Sequence, residues 1–191
     1  MIRRLSLLLL LGVLASPLTA QLVPKDGDDV AADGAQPAAP CPVVSGPFRF
    51  CGNSPQFTLT PQGDNADVTA YYVTPEAIQA VAVIEPLGSQ DGLTIASMQQ
   101  SALQILSQST GTSPGTIPIL ERGTLDVSAT SRPNFVYSGV VDGTPIVYSN
   151  TIVLLDQSVA QFVTLDIGAR AYTDRHRELH ARFLSNIQVA E

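Results

Sequence analysis

The chain has 191 residues, enough for one domain with appendages, and its 45% hydrophobic and 14% charged content excludes wholesale disorder. Its net charge is -7 and it holds a single lysine, Lys25. That balance excludes nucleic-acid backbones and anionic membrane surfaces as natural partners.

Residues 1–20, MIRRLSLLLLLGVLASPLTA, have the form of a secretory signal peptide. Arg3 and Arg4 make the positive start, Leu5 to Leu14 the apolar run, and small residues close it. The run is short for a membrane span, so a retained anchor is the second reading. Cleavage is expected at Ala15 or Ala20, and losing Arg3 and Arg4 takes the net charge from -7 to -9. No cysteine follows closely enough for a lipid anchor. The expected product is exported, without a membrane span in the mature chain; the bacterial periplasm is preferred over an extracellular destination.

Residues 21–40 are rich in Ala, Asp, Gly and Pro and read as a disordered acidic linker, because such a composition buries too little apolar surface to offset ordering. Asp26, Asp28 and Asp29 resemble a calcium loop only in part, lacking its later ligands. Cys41 and Cys51 follow in CPVVSGPFRFC. An even count in an exported chain points to a disulfide, whereas a zinc site lacks a second cysteine pair and the spacing is not C-x-x-C. The bridge opens a single globular domain over 41–191.

Strands are expected over 67–73 and 80–86, rich in Val, Tyr and Ile. Ile95, Met98, Ala102, Ile105 and Leu106 form one apolar stripe, which predicts a helix over 92–111, capped by Thr94 or Asp91 and ended by Gly111. Residues 116–129 alternate around a turn expected at Arg122-Gly123. A three-stranded antiparallel meander follows, 135–141, 145–155 and 159–167, joined at Asp142-Gly143-Thr144 and at 156–158. Thr151 to Leu155 is mostly apolar at successive positions, so that strand is expected to be covered on both faces. A helix over 173–189 closes the chain, with Thr173 as N-cap, Asp174 on its positive end, and Leu179, Phe183, Leu184 and Ile187 as its apolar stripe. The fold class is therefore α+β, an antiparallel β-sheet with helices packed on its faces.

The stretch RHRELHARFL, Arg175 to Leu184, is where chemistry is worth seeking. His176 and His180 lie one turn apart and so form a metal candidate. Zinc proteases read H-E-x-x-H, however; here Glu178 falls about 200° around the helix from His176. A third ligand would have to be Asp166 or Asp174. Both histidines straddle the direction of Leu179 and Phe183, so the first reading is a pair of core-side imidazoles with hydroxyl or backbone partners. GTSPG (111–115) matches G-x-S-x-G around Ser113, but it follows a helix and leads to a strand, the inverse of a nucleophile elbow. No catalytic residue and no cofactor are assigned. Arg170, Arg175, Arg177 and Arg182 make a cationic patch suited to an acidic partner, with an ordinary solvated helix face as the alternative.

The order of elements resembles the PsbP-like fold, which includes the DcrB-like envelope proteins. AYTDRHRELHARFLSNIQV resembles the closing helix of those domains, and VLLDQSVAQFVTLDIG resembles their last hairpin. The resemblance covers about residues 56–189. It implies an α/β/α sandwich and a non-enzymatic role in binding, assembly or envelope maintenance. It supplies no catalytic residues. The cysteine clip and the acidic linker depart from it. The partner expected on this footing is another envelope or secreted protein, with a metal-binding or metal-dependent role through His176 and His180 as the alternative.

Overall fold

The computed structural model describes residues 41–52, 57–60, 69–74, 78–88 and 92–190. The leader, the linker and Asp91 lie outside these residues.

Among them two antiparallel sheets form. The large sheet runs in the order β3 (Thr58–Thr60), β4 (Ala70–Val73), β5 (Ile78–Pro86), β9 (Ser158–Ile167), β8 (Thr144–Leu155), β7 (Thr130–Val141) and β6 (Ile119–Val127). The small one is β1 (Val43–Ser45), β2 (Phe48–Phe50) and β10 (Ile187–Val189). Helix α1 (Ile95–Thr110) covers one face of the large sheet, while α2 (Asp174–Ser185) and the small sheet cover the other. The expected α+β fold with helices on both sheet faces is what the chain adopts.

Local chemistry sets the helix ends. Thr94 and Ser97 form a reciprocal capping box at the start of α1, and Gly111 ends it with φ 67°, a left-handed conformation that glycine adopts freely. Thr173 caps α2 by accepting from the His176 N–H at 3.2 Å. Met98, Ala102 and Leu106 of α1 pack on Phe135, Tyr137, Tyr148 and Ile152. Leu179, Phe183 and Leu184 of α2 pack on Ala80, Ala82, Ala160 and Phe162, with Phe48 and Phe50 from the small sheet. Strand β8 is buried from Ile146 to Val153 because both of its faces are covered.

Two expectations are corrected. No turn occurs at Arg122-Gly123: β6 runs unbroken through them, and the reversal is at Ser128 and Ala129, with φ 52° and 60°. Pairing with β7 along the whole strand outweighs the turn tendency of a lone glycine, and the meander gains a fourth strand. The closing helix does not reach Val189. It stops at Ser185, Asn186 caps it, and Ile187–Val189 pair with Phe48–Phe50 as β10. Ile187 stays in the apolar stripe expected of it, but as part of a strand. Strand β4, Ala70–Val73, falls within the strand expected over 67–73; residues 67 and 68 of that stretch lie outside the described residues.

The Cys41–Cys51 bridge is formed, closing the β1–β2 hairpin, with Cα atoms 4.7 Å apart. Cys51 N–H donates to Asn186 C=O at 2.7 Å, so the clip also holds the strand that carries the end of α2.

Candidate functional site

Ser149, Asn150 and Thr151 interrupt the apolar run of β8, and the strand's alternation sends them to opposite faces. Ser149 and Thr151 face α2, as do Asn134 of β7 and Thr164 of β9. All four are buried under His176 and His180, which are themselves fully buried.

These side chains form one continuous hydrogen-bonded chain. His176 Nε2 lies 2.8 Å from Thr164 Oγ1, and Thr164 Oγ1 lies 2.9 Å from His180 Nδ1. His180 Nε2 lies 2.9 Å from Thr151 Oγ1, which donates to Asn134 Oδ1 at 2.9 Å. Ser149 Oγ also donates to Asn134 Oδ1, at 3.3 Å, and meets the Tyr172 hydroxyl at 3.4 Å. A hydroxyl has one proton, so the direction propagates along the chain. Thr151 gives its proton to Asn134 and accepts from His180 Nε2–H. His180 Nδ1 is then an acceptor, filled by Thr164 O–H, which in turn accepts from His176 Nε2–H. Both imidazoles are thereby assigned as neutral Nε2–H tautomers. His176 Nδ1 is buried and has no hydrogen-bond partner among the described residues.

Burial under the sheet drives both rings towards the neutral form. His176 is pushed down to about 4, partly offset by its bond to Thr164. His180 is pushed down to about 3 by burial and then by the neighbouring His176. Chelation of a metal by the pair would require breaking the threonine bonds. Asp174 is engaged by Arg177, and Asp166 is raised by burial against the lowering effect of Arg175. Among the described residues no group of three or more His, Cys, Asp or Glu is placed to hold a metal ion.

The four arginines are placed differently. Arg177 bonds Glu121 Oε2 at 2.8 Å, pairs with Asp174, and lies 4.8 Å from the centre of the Tyr172 ring. It braces α2 to β6. Arg175 and Arg182 lie two turns apart on the exposed side of α2, with Glu178 between them. Arg170 is exposed in the loop before α2, on the rim of an open groove of about 430 Å³. Thr110, Thr116, Pro118, Ser138 and Val140 line that groove.

Ser113 is exposed just after α1, where its carbonyl accepts from Thr116. It stands beside the helix of the opposite sheet face from His180, so the two belong to different layers.

The histidines and arginines are visible as candidates in the sequence; Thr151, Thr164, Asn134, Ser149 and Tyr172 are not. The available signal was three polar residues in a strand otherwise apolar from Ile146 to Leu154.

No family model and no curated protein sequence matches the chain. Solved structures with a similar arrangement include a Bacteroides thetaiotaomicron protein, at 6% identity and TM-score 0.46, covering 76% of this chain and 46% of that one. LpqN of Mycobacterium tuberculosis, described as involved in cell envelope biogenesis, matches at 13% identity and TM-score 0.39, covering 82% and 87%. Protein PA94 of Pseudomonas aeruginosa, of unknown function, matches at 12% identity and TM-score 0.33, covering 66% and 90%. The chain spans less than half the length of the Bacteroides protein. Likenesses this loose carry no role across. No helix among the described residues is long and apolar enough to cross a membrane.

Proposed function

We propose that the protein is an exported, non-catalytic domain of PsbP-like architecture that binds or helps assemble another envelope or secreted protein. The observation that carries this reading is how the chemistry-bearing side chains are used. Both histidines serve the core: His180 uses both ring nitrogens and His176 one, on threonine hydroxyls, at values far below those a general base needs near neutral pH. Arg170 and Arg182 are instead presented to solvent, and Arg175 is exposed while also acting on the Asp166 carboxyl; guanidinium groups so placed suit carboxylates of a partner. The leader pattern of residues 1–20 and the Cys41–Cys51 bridge support export to an oxidising compartment, for which the periplasm is our choice. No cofactor enters this reading.

The test is capture of partners from the native envelope after mild cross-linking, comparing native bait with Arg170→Glu, Arg175→Glu and Arg182→Glu combined. Arg177 is kept because it braces α2. One protein enriched by the native bait and lost with the reversed one is the expected result. Turnover of a substrate that depends on one polar side chain would overturn the proposal.

A further inference from the structure

Strand β6 is the last strand of the large sheet, and its outer edge pairs with no strand among the described residues. Which of its backbone groups face that edge follows from β7. The tight connection at Ser128 and Ala129 makes Val127 and Thr130 a hydrogen-bonded pair, and alternation then turns Leu125, Gly123 and Glu121 towards Arg132, Asn134 and Val136. The Ser138 N–H, which donates to Pro118 C=O, and Pro133, which has no N–H and sits opposite Thr124, agree with this phase. The N–H and C=O groups of Arg122, Thr124 and Asp126 therefore point outward, and all three residues are exposed.

We infer that this edge pairs with the same edge of a second copy, antiparallel and centred on Thr124, so that one sheet runs through both. This inference is independent of the function proposed above. Three features select the occupant. Only outward-facing residues can exchange backbone bonds, so Thr124 meets Thr124 of the second copy. In that register Arg122, whose Nη1 donates to Gln99 Oε1 of its own chain at 2.7 Å, lies opposite Asp126 at both ends, on the same sheet face, and its remaining N–H groups turn charges that would repel a foreign strand into two ion pairs. On the other face, Leu125 lies opposite Gly123, where nothing within 4 Å occupies the space a Cβ would fill. The register stops of its own accord, at the Ser128 turn on one side and the irregularity between Ile119 and Glu121 on the other. An edge contact of this kind lies at the small end of specific interfaces, so association is expected on the order of micromolar.

Sedimentation of the purified protein over a wide concentration series tests it. A reversible monomer–dimer equilibrium is expected. Arg122→Asp or Asp126→Arg alone sets like charges together twice and weakens association about tenfold or more, and the two combined restore it. Thr124→Pro abolishes it with the fold intact, because the N–H removed is not used by β7. Thr124→Cys is expected to form a reducible cross-linked dimer, since paired Cα atoms about 5.5 Å apart suit a disulfide. A monomer at every concentration overturns the inference. So does a dimer indifferent to these changes, or an edge that takes up another protein's strand while the native chain stays monomeric.

Discussion

At the residue scale, a single hydroxyl governs the polar centre. Thr164 Oγ1 is the donor to one imidazole and the acceptor from the other, so its removal leaves two buried ring nitrogens without partners. Thr164→Val is expected to cost about 3 kcal/mol, read from urea unfolding at neutral pH, while Thr164→Ser keeps most of the stability. The imidazoles also make stability depend on pH. Their folded-state values, about 4 and about 3, lie below the ordinary 6.5, so the unfolded chain binds more protons in between. Stability is full above pH 6.5, falls as the pH drops through that window, and levels once the folded values are passed. The slope is about 1.4 kcal/mol per pH unit for each histidine. Denaturant titrations at pH 7, 6, 5 and 4 check it; a flat profile would remove the neutral assignment. Zinc added at neutral pH is expected to leave the melting midpoint unchanged, because both nitrogens of His180 are held by threonines and one would have to be released before the pair could chelate.

At the scale of elements, each helix depends on one unusual approach or join. Leu106 of α1 rests on Gly139 of β7, where an added Cβ would stand 3.0–3.2 Å from its side-chain carbons. Gly139→Ala is expected to destabilise by about 1 kcal/mol, despite alanine's better strand geometry, with a shift in thermal midpoint as the measurement. On the other face, α2 is held at its far end by β10, and β10 by the hairpin that the disulfide closes. Replacing Cys41 and Cys51 with serine releases the hairpin and is expected to cost roughly 2–3 kcal/mol. Amide exchange should then rise first at Phe48–Phe50 and Ile187–Val189; unchanged protection there would show that the small sheet stands without the clip.

At the scale of the whole molecule, one sheet separates two unlike cores. The α1 side is built from Phe135, Tyr137, Tyr148, Met98 and aliphatic side chains, while the α2 side combines a phenylalanine cluster with the histidine–threonine chain. Asn150 and Gln161 place a further buried hydrogen bond, 2.9 Å long, on the α1 side. Both faces of β8 are thus spent on internal packing. Among the described residues, the margins of the fold remain for other molecules: the exposed β6 edge, the exposed side of α2 and the groove beside Arg170. Substitutions on these margins are expected to change association without moving the unfolding midpoint, and those in the two cores to do the reverse. Calorimetry and sedimentation on the same variants separate the two classes.

Sequence by itself determined the features whose causes lie within a few residues. Thr94 and Thr173 cap their helices, Gly111 ends one, Asp142-Gly143 turns a hairpin, and the apolar periods of α1 and α2 set the faces they bury. The mostly apolar run in β8 announced a doubly covered strand for the same reason. Tertiary structure alone decided the rest, because its causes come from far along the chain. Ile187–Val189 leave the helix for β2, whose backbone bonds become reachable only once α2 has docked. Arg122-Gly123 stay extended because β7 offers a partner along the whole of β6. The meaning of Thr164 and Thr151 also waited for the fold: on the page they are ordinary strand residues, and only the packing of α2 brings two imidazoles within 3 Å of their hydroxyls.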